Sequence, residues 1–519
     1  MSLSFSSPAH RPRKDLRPSP TDMIRNSSDM DAHDEFAQKT ISGLGWSLTS
    51  QIGRQGLGLI LGIVLARLLS PREFGLIAMV LVFSGFAALI TEFGFVSTLV
   101  QKRDVQDEHL NSVFWFNCTL GILLAALFVV LAPLVAEFYD EPGLTAPARA
   151  MAIAFPLWTV STVQRALLSR ALDFRRLAIA EITGVGLGGI AAVLAAIENM
   201  GVWSLVIQQL LQPGISSLVL WILCRWKPHL RFSWSALRDL MSFGLNVLGY
   251  RSLSHWSHNL DSLLVGRVLG SSPLGIYDLA YRIMQFPVWN VSRSLHRVMF
   301  SSFSMIQDQR DRIREVFLRA VSIVSLAVFP LMLGTLATAP YLVETLFGQD
   351  WIAMVPVLQI FCIASIFESV AGLTSMLFLS QGRADLQLRV GLFLKLNTLA
   401  GIVIGLGWGV TGVAAGYTVA SIINFFPAFY FSGRLVGLPL RRLVGTSLPM
   451  LAAASLMSLA VHGASLALPP EWPAPGKLAA LFGLGLVLYG GIVFGFRLKA
   501  WEENRKFIWD QMVARRIDQ

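Results

Sequence analysis

The sequence predicts an all-α polytopic membrane protein of about fourteen transmembrane helices, arranged as two six-helix lobes followed by two additional helices. Three observations carry this. Of 519 residues, 54% are hydrophobic and 14% charged, whereas a soluble domain carries roughly 25% charged residues; the mean hydropathy is +0.59. Apolar runs long enough to cross a bilayer recur along the chain, since about 20 helical residues at 1.5 Å each span the hydrocarbon. The loops between these runs alternate in charge.

The expected spanning segments are residues 41–66, 74–99, 111–136, 149–168, 177–198, 203–224, 240–266, 274–303, 316–336, 353–380, 388–407, 412–433, 443–467 and 477–496. With the N-terminus inside, the inner loops hold seventeen Lys and Arg residues, among them Lys102, Arg170, Arg231, Arg310, Arg383 and Arg442. The outer loops hold three, Arg67, Arg72 and Arg267, together with acidic Asp140, Glu344 and Asp350. This bias places both termini in the cytoplasm. It also explains the net charge of +10 without nucleic acid as a partner.

Residues 1–40 contain no apolar run, so no cleavable secretory signal is expected. The stretch 10–20 (HRPRKDLRPSP) is basic and proline-rich, a composition that favours disorder. The expected organisation is a tail at 1–40, an N-lobe at 41–224, an inter-lobe linker at 225–239, a C-lobe at 240–433, two further helices at 434–496 and a cytoplasmic tail at 497–519. Cys118, Cys224 and Cys362 lie in or beside apolar segments, and neither a disulfide nor a zinc site is expected.

An internal repeat divides the chain. Residues 67–75 (RLLSPREFG) resemble 267–275 (RVLGSSPLG) at an offset of 200. Gly201-Val202 resembles Gly409-Val410 at an offset of 208. Parallel repeats around a central pathway are a recurring plan of transporters.

The seventh segment is the most unusual. Arg251, His255, His258 and Ser262 share one helical face, with Asp261 beside it. A charge facing lipid costs several kcal/mol, so this face looks into protein or a water-filled cavity. The eighth segment carries one polar stripe of Asp278, Arg282, Gln285, Trp289, Arg293 and His296. Arg54 lies near the middle of the first segment and Lys395 about a third of the way into the eleventh. The candidate substrate-binding set is therefore Arg54, Arg251, His255, His258, Arg282, Arg293 and Lys395. A cationic lumen suits an anionic substrate, and arginine forks match phosphate oxygens. Glu92, Asp261 and Glu368 are the candidates for ion or proton coupling. No catalytic residue, metal or cofactor is expected. Gly184, Gly186 and Gly189 spell GxGxxG within an apolar helix with no preceding strand, so they read as small packing residues, like Gly58 and Gly62.

Residues 71–79 (PREFGLIAM), 92–95 (EFGF), 100–103 (VQKR), 114–117 (FWFN) and 164–175 (QRALLSRALDFR) resemble polysaccharide exporters of the Wzx type. The likeness is to the colanic-acid and succinoglycan exporter branch of the multidrug/oligosaccharidyl-lipid/polysaccharide superfamily. The resemblance implies two lobes forming a V around a central cavity, in a bacterial inner membrane. It implies a flippase that moves an undecaprenyl-pyrophosphate-linked oligosaccharide between leaflets. Membrane lipids, a polysaccharide polymerase and a co-polymerase are the implied partners. Two rivals remain. A cation-coupled multidrug exporter needs an apolar or acidic pocket. A membrane polymerase or ligase needs a sizeable outer loop, and the longest expected here is about sixteen residues, 337–352.

Overall fold

A computed structural model describes residues 51, 53–305 and 309–495, except the side chains of 289, 292–302 and 304–305. The expected tails at 1–40 and 497–519 lie outside the described residues, as do the side chains of Arg293 and His296. All regular structure among the described residues is helical. Across the expected N-lobe run α1 (53–68), α2 (Pro71–Glu92), α3 (Phe95–Gln101), α4 (Asp107–Tyr139), α5 (Thr145–Met151), α6 (Ala154–Thr159), α7 (Thr162–Arg170), α8 (Phe174–Ile197) and α9 (Val202–Leu223). Across the expected C-lobe run α10 (Trp234–Leu269), α11 (Ser271–Met305), α12 (Arg310–Leu346), α13 (Met354–Ala371), α14 (Thr374–Ser380), α15 (Ala384–Gly405) and α16 (Gly409–Val436). α17 (Leu440–Ala467) and α18 (Ala474–Gly495) follow.

Ten described stretches are long and apolar enough to cross a membrane, the hairpin Ala384–Val436 counting as one of them. The protein is thus a multi-pass membrane protein. α10 and α11, with 36 and 35 residues, have the length; their polar and charged side chains keep them outside that set.

The helix starts and breaks follow from local chemistry. Pro71 occupies the first turn of α2 and the Ser70 amide donates to the Glu73 carboxylate at 2.6 Å, a reciprocal cap. Phe93 and Gly94 both take positive φ, 46° and 70°, and divide α2 from α3. α10 begins at Trp234, six residues before the expected 240, because the Ser233 hydroxyl caps the Ala236 amide at 3.3 Å.

The sequence repeat has a structural counterpart. α2 and α11 pack against each other, and a Cβ on Gly75 would coincide with the Ser271 carbonyl while one on Gly275 would coincide with that of Pro71. Gly201 and Gly409 open α9 and α16 with φ of 57° and 71°, and α8–α9 and α15–α16 form corresponding helical hairpins. In the first hairpin Gly184 meets Gln212 and Ser216, and Gly189 meets Leu61 of α1, so these glycines do serve close packing. Gly58 and Gly62 differ: among the described residues, nothing lies within 4 Å of where a Cβ on either would stand. α1 presents its other side to α8, with Leu57 and Leu61 against Gly186 and Gly189.

Contacts among α1, α2, α11 and α12 fasten the two expected lobes to each other. Around the α2–α11 crossing, Trp351 is fully buried and its indole N–H donates to the Ala66 carbonyl at 2.7 Å. The Arg67 guanidinium donates to the carbonyls of Glu344 and Thr345 at 3.2 and 2.7 Å, satisfying the open C-terminus of α12. Glu141 accepts from Arg72 at 3.3 Å and from the Ser271 hydroxyl at 2.7 Å.

α10 divides its allegiance. Leu237 and Leu240 are buried in an N-lobe cluster with Phe95, Leu99, Leu110 and Phe114. The preceding residues are pinned to α4: the His229 amide donates to Asn111 at 2.6 Å and the Ser233 amide to Ser112 at 2.8 Å. Further along, Val265 and Leu264 belong with the main core, which takes in residues of α2, α4 and α9 as well as of α11, α12 and α13, while His258 and Asp261 line a cavity with α13, α15 and α16.

Candidate functional site

Five charged side chains meet where α1, α2, α7, α8 and α10 converge. Arg251 donates to Glu92 at 2.7 Å, a charge-assisted bond of the strong, short kind. One oxygen of Glu181 lies 3.6 Å from Arg54, the other 3.5 Å from Arg165. Glu92 and Arg54 lie within electrostatic reach of Arg165. All five are part-exposed, with side-chain accessibilities of 29–44%. Three cations against two carboxylates leave an excess of one positive charge. Such a group cannot face hydrocarbon; it fits a wet interior between the lobes.

The second group is a cavity of about 550 Å³ between α10 and the rest of the C-lobe, lined by His258, Asp261, Gln285, Glu368, Lys395 and Asn424 among others. Asp261 accepts from the Tyr277 hydroxyl at 3.0 Å and from the Ser262 amide at 2.8 Å. Glu368 accepts from Ser421 at 2.9 Å and from Gln285 at 3.4 Å. Tyr277, Tyr281 and Tyr417 all set their rings edge-on to the buried Phe361, with centroids 5.3–5.7 Å apart. Two carboxyl groups and one lysine line this cavity, so acidic groups outnumber lysine here, where arginines outnumber carboxylates in the first cluster.

The expected site residues are therefore distributed over two half-sites. Arg54, Arg251 and Glu92 gather in the first, and His258, Asp261, Glu368 and Lys395 in the second. The polar face of α10 divides between them, because α10 itself bridges the lobes. His255 lies toward α2, its Nε2 2.9 Å from the Val82 carbonyl. Arg282 is held by its own helix through Asp278 at 2.8 Å. Arg165 and Glu181 were not among the expected residues. Both fall inside the expected spanning segments 149–168 and 177–198, near one end of each, and a charge within an apolar run was the available signal. The tyrosines of the second half-site carried none, since aromatic residues in apolar helices are ordinary core.

The chain matches the family model described as "Polysaccharide biosynthesis protein" over residues 64–356. It is 28% identical over 400 residues to the lipopolysaccharide biosynthesis protein WzxC of Escherichia coli (strain K12), covering 76% of this chain and 80% of the relative. It is 30% identical over 346 residues to the teichuronic acid biosynthesis protein TuaB of Bacillus subtilis (strain 168), covering 66% and 71%. Among solved structures, the lipid II flippase MurJ in an inward closed conformation superposes with a TM-score of 0.69 over 88% of this chain and 99% of that one, at 14% identity. That likeness is one of fold.

Proposed function

The chain belongs to the polysaccharide biosynthesis protein family, that of the Wzx-type exporters, and from this premise we propose that it is a flippase for an undecaprenyl-pyrophosphate-linked oligosaccharide. It is not an enzyme; it carries an exopolysaccharide, capsule or O-antigen repeat unit from the cytoplasmic to the periplasmic leaflet of a bacterial inner membrane. Fourteen helices cross the membrane, with both termini in the cytoplasm, and the two lobes alternate access to the cavity between them. The product passes to a polymerase and co-polymerase.

The observation that carries this reading is the five-residue cluster of Arg54, Arg165, Arg251, Glu92 and Glu181 with its excess positive charge. A pyrophosphate is an anion rich in oxygens, and three guanidinium forks are the side chains best matched to it. Asp261 and Glu368, in the separate C-lobe cavity, couple transport to a proton or cation. Those carboxylates are also the one feature that favours a cationic drug as substrate, and Lys395 on the same wall weighs against it.

The test follows the lipid-linked intermediate. In right-side-out vesicles from a producing strain, a membrane-impermeant probe of the glycan should reach the intermediate only when this protein is present. Equal labelling with and without it would overturn the proposal.

A further inference from the structure

Glu92 and Glu181 both oppose arginines in the same cluster, yet they do so differently. Glu92 is committed to one partner at 2.7 Å. Glu181 is shared, one oxygen toward Arg54 at 3.6 Å and one toward Arg165 at 3.5 Å. Charge-assisted N–H···O bonds run about 2.7–2.9 Å, so Glu181 neutralises without binding tightly. Two guanidinium groups converge on it, neither within hydrogen-bond distance of about 2.7–2.9 Å of its oxygens.

The placement adds to this. Arg54 comes from α1, Arg165 from α7 and Glu181 from α8, so three separate elements are brought to one point. All three side chains are accessible, 44%, 31% and 29%. Among the described residues, Glu181 is the carboxylate that stands between Arg54 and Arg165, and an anion reaching for both arginines would meet it there. Two structural arginines locked to a shared carboxylate would instead show short, aligned hydrogen bonds, as Arg251 and Glu92 do.

Resting on the proposed function, we infer that Glu181 is a displaceable counter-anion for the phosphate-bearing end of the substrate. In the empty protein it holds Arg54 and Arg165 in place and spares the interior two unopposed cations. A pyrophosphate carries more charge and more oxygens than one carboxylate, so it takes over both forks and Glu181 turns aside. On release, Glu181 reclaims the arginines. Glu181 thereby tunes affinity: it weakens binding enough to let the substrate go. The recognised chemistry is a pyrophosphate, whether on a prenyl lipid or free.

The experiment measures equilibrium binding of two radiolabelled probes, farnesyl pyrophosphate and inorganic pyrophosphate, to the full-length protein in lipid nanodiscs. Glu181→Gln should tighten binding of the pyrophosphate about five- to thirty-fold while polymer export in cells falls. Arg165→Gln should weaken binding about tenfold or more. Glu181→Asp, whose shorter arm cannot reach both arginines, should tighten binding two- to threefold, and it serves if Glu181→Gln does not accumulate. A purely structural Glu181 predicts unchanged or weaker binding in both variants, and that result overturns the inference while leaving the flippase reading intact. Binding of neither probe to the wild-type protein would overturn both. Preference for the prenyl probe identifies a lipid head group as ligand, and equal binding identifies the free anion; either supports displacement.

Discussion

Gly75 and Gly275, two hundred positions apart, lie across a single helix crossing from one another, and the missing Cβ of each is replaced by a backbone carbonyl of the opposite helix, about one turn before the opposite glycine: Ser271 for Gly75 and Pro71 for Gly275. The relation is reciprocal at the same offset of 200, so the crossing of α2 and α11 lies on the pseudo-symmetry axis of the repeat. Trp351 and Arg67 fasten the two halves beside it.

Alanine at either glycine must separate the two helices. Overpacking of this kind costs about 1–3 kcal/mol. Gly75→Ala and Gly275→Ala should each lower thermal stability and widen the distance between spin labels at Asp140 and Gln349. One displacement accommodates both methyl groups, so the double variant should cost scarcely more than either single one. Simple addition of the two effects would show that the glycines are not in one crossing.

The bolts themselves are separable. Trp351→Phe keeps an aromatic ring against Phe74 but leaves the Ala66 carbonyl without its donor, a loss of about 1 kcal/mol. Arg67→Ala removes the donors to Glu344 and Thr345 and should cost about 1–2 kcal/mol. Both variants should broaden the same spin-label distance. An unchanged distribution would place the stability of this end in the α2–α11 crossing alone.

The ion pair of Arg251 and Glu92 ties α10 to the N-lobe. Arg251→Ala strands a half-exposed carboxylate and should lower protein abundance, by about 1–3 kcal/mol of stability after allowance for exposure. Adding Glu92→Gln should restore abundance. If Arg251 also holds the substrate, the double variant folds but exports no polymer. Export from the double variant at the wild-type level would leave Arg251 a purely structural role.

Orientation is tested by labelling. Cysteine at Asp140 or Gln349, in a background without Cys118, Cys224 and Cys362, should react with an impermeant thiol reagent in intact spheroplasts. Cysteine at Arg231 or Arg310 should not. Reversed labelling would invert the topology, and with it the direction of transport.

Much of the helical plan was legible because hydrocarbon leaves a polypeptide few alternatives to helices. The repeat at 67–75 and 267–275 was legible too, and its meaning as a crossing of backbones follows from the glycines it contains. Partner choice was not. The period of α10 shows that Arg251 and His258 share a face, but not that the helix leans across the interface, so that Arg251 meets Glu92 while His258 lines a cavity with Lys395. Arg165 sits five residues before Arg170, which belongs to a basic loop, so position along the chain alone does not set it apart from that edge. Its proximity to Glu181 depends on how α7 and α8 pack, which a linear charge count does not contain.

The divided allegiance of α10 bears on how the chain is made. Leu237 and Leu240 complete an N-lobe cluster with Phe95, Leu99 and Phe114, so a nascent chain that ends at Leu223 lacks part of that cluster. The first half of the protein therefore reaches its packed state only when the ribosome has already begun the second. Two fragments meant to reassemble should be divided within α10, beyond Gly244, rather than in the loop that precedes it, since a cut at the loop would leave the first fragment with an uncovered aromatic surface and a claim on the insertion and quality-control machinery of the membrane.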